Sequence, residues 1–226
     1  MKKRIDFIIC YNKPVFLDEC LYYINMLDVP EGFLVNVLTN EGAHSMASGY
    51  NEVMKMSDAD IKIYMHQDVF IINPHFLFDI IDIFESDPKI GMIGMVGYKK
   101  VNDNAVMWRE KRVGDTSYYK PWELVFPFDV RKDINDVAII DGLMMVTSKD
   151  IEWDERFDAW DFYDASQSMR FLQNGYRIVV PNQKNTWTIH DDGKYLAVFD
   201  YGKYRDLFLN LYDDCIGKTA EEIRNH

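Results

Sequence analysis

Ile61-Lys62-Ile63-Tyr64-Met65-His66-Gln67-Asp68-Val69-Phe70-Ile71-Ile72 is the stretch from which the rest of the chain is placed. Ile61, Ile63 and Met65 alternate with Lys62 and Tyr64, so the first half reads as a buried strand with Lys62 near its start. His66, Gln67 and Asp68 then interrupt an otherwise apolar run. Polar groups at such a break are costly to bury unless they find partners. In an open α/β sheet the carboxyl end of a strand faces the ligand crevice, which is where a divalent metal and a diphosphate would sit. A turn in which Asp68 caps the next segment fits the same residues, and this stretch alone leaves both readings open.

Toward the N-terminus, Ile5–Cys10 is a short apolar run, expected to be a central strand. Tyr11-Asn12-Lys13-Pro14 ends it, with Asn12 placed to cap a helix and Pro14 in its first turn. Leu17, Cys20, Leu21 and Ile24 follow at helical spacing, and Phe33–Leu38 reads as the next strand. Strand, helix and strand in that order make a right-handed parallel βαβ unit. Thr39 to His44 is a polar loop on the ligand side. Ser45 then caps a helix with Met46, Ala47, Tyr50 and Val53 on one face and Gly49 and Asn51 on or near the other. Beyond the opening stretch, Asn73-Pro74 starts a helix buried through Leu77, Ile80, Ile81 and Phe84, and Ile90–Val96 is a glycine-bearing strand. The front of the chain is thus four βα-type repeats.

Past Gly97 the pattern breaks. Gly97 to Asp136 is long and irregular, with aromatics such as Trp108 and Trp122, and reads equally as a functional segment or a surface excursion. Val137–Ile140 is a strand that runs through Asp141-Gly142 into Leu143–Val146, and Asp-Gly there signals a bulge or a close backbone approach to a ligand. Asp161-Phe162-Tyr163-Asp164 opens a helix whose buried stripe is Ala165, Ser168, Met169 and Leu172, stopped by Asn174-Gly175. The spacing of Asp161 and Asp164 suits an N-cap with an acid in the first turn as well as it suits a site. Tyr176–Val180 and Trp187–His190 read as strands, and Tyr195–Leu211 as a closing amphipathic helix.

Composition bounds the function classes. The 226 residues suit one domain, and 48% hydrophobic with 15% aromatic content argues against disorder. A net charge of −12, with no dense Lys/Arg run, speaks against nucleic acid or anionic membrane as partners. No apolar run has the length of a membrane span, and none is framed as a signal peptide. Cys10, Cys20 and Cys215 are odd in number and widely spaced, so a reduced, cytoplasmic chain without a disulfide framework is expected.

A first strand ending in Tyr11-Asn12, His-Gln-Asp in the middle, an Asp-Gly strand, a carboxylate-led helix running into Asn174-Gly175-Tyr176-Arg177-Ile178-Val179-Val180-Pro181, and a late histidine occur here in that order. Over roughly residues 4–192 this resembles the family 2-like glycosyltransferases, in particular their small bacterial branch, with Tyr64–Val69 and Phe157–Pro181 the most specific segments. The resemblance implies a single α/β domain of the GT-A type, a mainly parallel twisted sheet flanked by helices. Residues 1–97 would be a Rossmann-like nucleotide-sugar-binding half, 98–192 the acceptor-side half and 193–226 a helical tail that would mediate any homodimer. It implies transfer of a sugar from a nucleoside diphosphate sugar, a UDP-sugar being the guess, to a saccharide or lipid-linked acceptor in cell-surface polysaccharide synthesis, with inversion.

Residue by residue, the resemblance sets Cys10, Tyr11, Asn12, Thr39, Asn40, Asn51, His66 and Gln67 around the nucleotide. Asp68, with His66 and His190, would hold a divalent metal, and imidazole ligands favour Mn²⁺ over Mg²⁺. Asp141, Gly142, Asp161, Trp108 and Trp122 are assigned to the acceptor and sugar pocket, and Asp164 to the general base. The chain departs from the family pattern in three places. One carboxylate stands in the metal motif, Tyr163 replaces a Glu, and Ser166 replaces a further acid. The alternative is a non-catalytic nucleotide-sugar or glycan-binding module on the same fold. A nucleotidyltransferase is disfavoured because Tyr11-Asn12-Lys13-Pro14 is not a glycine-rich basic loop.

Overall fold

The computed structural model describes residues 2–118, 133–183, 185–191 and 200–225. In chain order the strands and helices are β1 (Lys3–Tyr11), α1 (Pro14–Asn25), β2 (Phe33–Glu41), α2 (Met46–Met56), β3 (Ile61–His66), β4 (Val69–Ile71), α3 (Phe76–Ser86), β5 (Ile90–Gly94) and β6 (Val96–Tyr98). They continue as β7 (Arg112–Gly114), β8 (Ser117–Tyr118), β9 (Ile134–Asp136), β10 (Ile139–Ile140), β11 (Met144–Thr147), α4 (Tyr163–Gln173), β12 (Arg177–Pro181), β13 (Thr188–His190), α5 (Tyr201–Leu211) and α6 (Ala220–Arg224).

Seven strands form the main sheet in the order β2-β1-β3-β11-β5-β12-β9. β1 runs parallel to β2 and β3, and β12 parallel to β5, whereas β11 lies antiparallel between β3 and β5. The expected α/β class and mainly parallel sheet are therefore present. Alternation along the strands divides the core in two. Ile5, Phe7, Ile9, Ile61, Ile63 and Met65 meet α1 and α3, whereas Ile8, Cys10, Tyr64 and Met92 meet α2, α4 and α5. Each fully buried side chain of this size contributes about 1.5–3 kcal/mol. Lys62, in the same central strand, is buried because its Nζ bonds both carboxylate oxygens of Asp150, at 2.8 and 2.9 Å.

Local signals for the helices hold in part. Ser45 forms a reciprocal capping box with Ser48, and Pro14 occupies the first turn of α1. Asn12 is not the cap of α1; Lys13 holds that position without a side-chain bond. Nor does Asp161 cap α4. The cap is Phe162 in the left-handed region at φ 62°, costing roughly 1–2 kcal/mol for an L-residue. Burial of its ring against Tyr201 and Phe208 offsets that strain.

The stretch expected to be irregular contributes β6, β7, β8 and β9, three of which join two small sheets, β10-β6-β7 and β4-β13-β8. Trp122 lies outside the described residues. In the tail, Tyr204, Phe208 and Tyr212 pack into the domain's own core, and Tyr212 bonds Ser166 of α4 at 2.9 Å. These tail side chains thus face inward. No described helix is long and apolar enough to cross a membrane.

Candidate functional site

Three connections converge at the carboxyl ends of β1 and β3. β3 ends on His66, whose amide bonds the Leu143 carbonyl at 3.1 Å and so draws in the Asp141-Gly142 turn that leads into β11. The two-residue turn Gln67-Asp68 then passes into β4. β13 pairs antiparallel with β4, setting His190 opposite Val69, and the Asp191 amide bonds the Asp68 carbonyl at 2.8 Å. Strand pairing thereby carries a histidine more than a hundred positions away to the side of Asp68.

His66, Asp68 and His190 each offer one ligand atom, all within 4.8 Å of one another. His190 Nε2 is 3.5 Å and His66 Nδ1 4.0 Å from Asp68 Oδ1. That oxygen is buried and accepts no hydrogen bond. An orphaned carboxylate oxygen between two imidazoles is a donor set that fits a divalent transition ion. Burial first, then the neighbouring His190, pushes the His66 ring down to about 4, so it is neutral at physiological pH, as a ligand must be. Burial works against ionisation of Asp68, but His190 and His66 together hold its carboxyl below the ordinary range.

A cavity of about 340 Å³ opens beside this group, lined by Cys10, Tyr11, Asn12, Gly42, Ala43, Met46, His66, Gln67, Asp68 and Trp160. Six of the expected nucleotide and metal residues thus share one wall. Gln67 also has a fastening role: its Oε1 accepts from the amides of Asn12 and Lys13 at 3.0 and 2.9 Å, and its Nε2 donates to Asn12 Oδ1. Cys10 is pushed up to about 12, chiefly by burial, and stays a thiol.

Behind the metal-ligand candidates lies a second row. The Tyr163 hydroxyl is 2.5 Å from His66 Nε2 and donates to the Gly142 carbonyl at 3.1 Å. Asp164 accepts from the Gly142 amide at 2.9 Å through Oδ2 and from the Ala165 amide at 2.7 Å through Oδ1. The residue is 7% exposed, and its carboxyl is raised to about 7, by burial first and then by the Asp141 charge. Tyr50, Tyr64 and Trp153 form a floor beneath Tyr163, with ring centroids 4.9 to 6.2 Å apart.

Several expected residues do not line the cavity. Asn51 is buried, and its amide bonds the Trp153 carbonyl at 3.0 Å and Glu155 at 2.7 Å while accepting from the Trp153 amide at 2.8 Å. It is a core clamp, buried and away from the cavity wall. Asn40 is bonded to Glu52 at 2.9 Å, and Thr39 sits exposed on the edge strand. Trp108 stands in a separate depression, against Tyr201 at 5.0 Å. Asp161 is half-buried, its carboxyl raised by burial and by Asp200. Gly142 is close to a side chain rather than a ligand: a Cβ there would lie 2.1 Å from the Tyr163 hydroxyl. Trp160, 54% exposed on the cavity wall, was not singled out by periodicity, because an isolated tryptophan before a helix carries no pattern.

The chain is similar to proteins of known structure. It aligns over its whole length with the mannosyltransferase PcManGT from Pyrobaculum calidifontis, solved with GDP-Man and Mn²⁺, at 13% identity, TM-score 0.61, covering 68% of that chain. It also aligns over 98% of its length with S. aureus TarS 1-349, at 12% identity, TM-score 0.63 and 69% coverage. The same TarS fragment with UDP-GlcNAc gives 11% identity, TM-score 0.63 and 70% coverage. These likenesses establish the GT-A type of fold. No curated protein matches by sequence. The model described as "Glycosyltransferase like family" matches residues 6–212. By that match the chain belongs to the glycosyltransferase-like family.

Proposed function

We propose that this protein moves a sugar from a nucleoside diphosphate sugar to a hydroxyl of a saccharide or lipid-linked acceptor, with a divalent cation held by His66, Asp68 and His190. The observation that carries the reading is the buried, unbonded Oδ1 of Asp68 between two imidazoles on the wall of a ligand-sized cavity. A divalent ion bound there would supply charge neutralisation to a departing diphosphate. Tyr11 and Asn12 offer a ring face and an amide to the base or ribose, and Trp160, which lines the same cavity, offers a second aromatic ring. Two of the similar structures are complexes with GDP-Man and with UDP-GlcNAc. What those ligands share, a nucleoside diphosphate bonded to a sugar, is the class proposed here, with a UDP-sugar as the first donor to try.

Asp164 is proposed as the general base for inverting transfer. A carboxyl raised to about 7 takes a proton more readily than an ordinary one and is still substantially ionised near neutrality. Each carboxylate oxygen has two acceptor positions, so the two backbone bonds leave capacity for an acceptor hydroxyl.

One observation favours a second reading, a binding module without turnover: Asp164 is buried and is not on the wall of the cavity. Calorimetry with UDP in the presence of Mn²⁺, followed by a donor panel assayed for sugar release and transfer, separates the two. Tight nucleotide binding without turnover over all donors and acceptors supports the module. Absence of metal-dependent nucleotide binding defeats both.

A further inference from the structure

The contacts of the Tyr163 hydroxyl with the Gly142 carbonyl and with His66 Nε2 are both satisfied by one arrangement of hydrogens. The Gly142 carbonyl can only accept, so the hydroxyl donates to it over 3.1 Å. With its single hydrogen committed, the hydroxyl oxygen must accept from His66 Nε2, 2.5 Å away. His66 then carries its hydrogen on Nε2, and Nδ1, the nitrogen that faces Asp68, keeps an unshared pair.

The contact is built into the fold at several points. Gly142 has no Cβ, and any Cβ would lie 2.6 Å from Cζ of the Tyr163 ring as well as against its hydroxyl. Tyr50 and Trp153 pack against the ring, with centroids at 6.2 and 6.0 Å.

We infer that Tyr163 is a positioning residue for a divalent cation: its hydroxyl fixes His66 in the Nε2–H tautomer and so presents Nδ1 toward a cation shared with Asp68 and His190. This rests on the proposed cation site. A partner on the second ring nitrogen fixes the orientation of a ligating histidine and raises its basicity, and losing it typically weakens metal binding 10–100-fold.

Tyr163→Phe removes the hydroxyl and keeps the ring, and circular dichroism verifies that the variant is folded. In the metal-free protein, ¹⁵N NMR of the histidine rings should show His66 protonated on Nε2 in the unaltered chain and a mixture of tautomers in the variant. Titration with Mn²⁺, followed by electron paramagnetic resonance, should show binding about 10–100-fold weaker in the variant. In a His66→Ala background, Tyr163→Phe should cause no further loss, because its effect passes through that ring. An unchanged tautomer and unchanged Mn²⁺ affinity in Tyr163→Phe, with the unaltered chain binding normally, overturn the inference. So does an equal loss in the His66→Ala background. Failure of the unaltered chain to bind Mn²⁺ overturns instead the cation site itself, while the tautomer comparison still decides whether Tyr163 governs His66.

Discussion

The amide of Gly142 and the carboxylate of Asp164 are joined by a hydrogen bond of 2.9 Å. That bond ties the turn before an antiparallel strand to the first turn of α4. Through the Gly142 carbonyl the same peptide region reaches Tyr163, and through Tyr163 it reaches His66. The residue proposed as base and the residues proposed to hold a cation therefore share one short chain of bonds. A change at any link should be felt at both ends.

Asp164 should impose a pH dependence on stability. Its folded carboxyl is raised to about 7, mainly by burial, whereas an unfolded Asp titrates near 3.9. As pH rises between these values the unfolded chain releases the proton first, so the group disfavours the fold increasingly, by on the order of 4 kcal/mol in full. Asp164→Asn removes this contribution, although its amide fits the two donating N–H groups less well. Denaturant unfolding at pH 5 and pH 8 should thus show a smaller fall in stability for the variant than for the unaltered chain. Parallel slopes would place the Asp164 titration in the ordinary range. If Asp164 is the base, transfer should be lost while nucleotide binding is retained.

Gly142→Ala should be poorly tolerated. The new methyl would lie 2.1 Å from the Tyr163 hydroxyl, and Tyr163 is hemmed in by Tyr50 and Trp153. Overpacking of a filled region costs about 1–3 kcal/mol. A thermal melt within a degree of the unaltered chain would mean that the ring moves aside freely.

What was legible in the chain was what repeats locally. Alternation in Ile61–Met65 and the apolar run Ile5–Cys10 identify β3 and β1 as central strands, and helical spacing identifies the buried faces of α1 and α3. The antiparallel insertion of β11 was not legible, because the choice of neighbouring strands is a non-local matter on which periodicity is silent. Asp141-Gly142 was read as a bulge or a close backbone approach to a ligand, and the group that approaches Gly142 in the fold is the Tyr163 side chain. Tyr163 itself looked like a lost carboxylate; only the distance to His66 gives it a role. His190 was placed beside Asp68 by resemblance, and the physical cause is the β4–β13 pairing. Asn51 was set around the nucleotide by resemblance, whereas in the fold it is buried and its side chain satisfies the main chain of Trp153.

Removing the carboxylate between the two imidazoles should abolish metal-linked binding. Asp68→Asn leaves the size unchanged, and Asp68 is held in its turn by its main chain, whose carbonyl accepts from Asp191. The fold should therefore persist while the affinity for UDP in the presence of Mn²⁺ falls. Mn²⁺ should outperform Mg²⁺ in the unaltered chain, because imidazole suits the softer ion. Equal support by the two ions, or nucleotide binding undiminished in excess chelator, would remove the histidines from the ligand set.

Asn51 gives the sharpest contrast between a site role and a core role. Its side chain exchanges two hydrogen bonds with the main chain of Trp153 and adds a third to Glu155, with only 4% of the residue exposed. Asn51→Ala would strand the Trp153 amide and carbonyl away from water, a loss of about 1–3 kcal/mol for each unsatisfied group. Trp153 supports Tyr163, with ring centroids at 6.0 Å, so a modest secondary loss of Mn²⁺ affinity should accompany the destabilisation. Nucleotide affinity measured without metal should not change, because no atom of Asn51 lines the cavity. Thermal melts combined with calorimetry on UDP read both effects. A stable Asn51→Ala protein that binds nucleotide more weakly would restore this residue to the nucleotide site and make the clamp on Trp153 incidental.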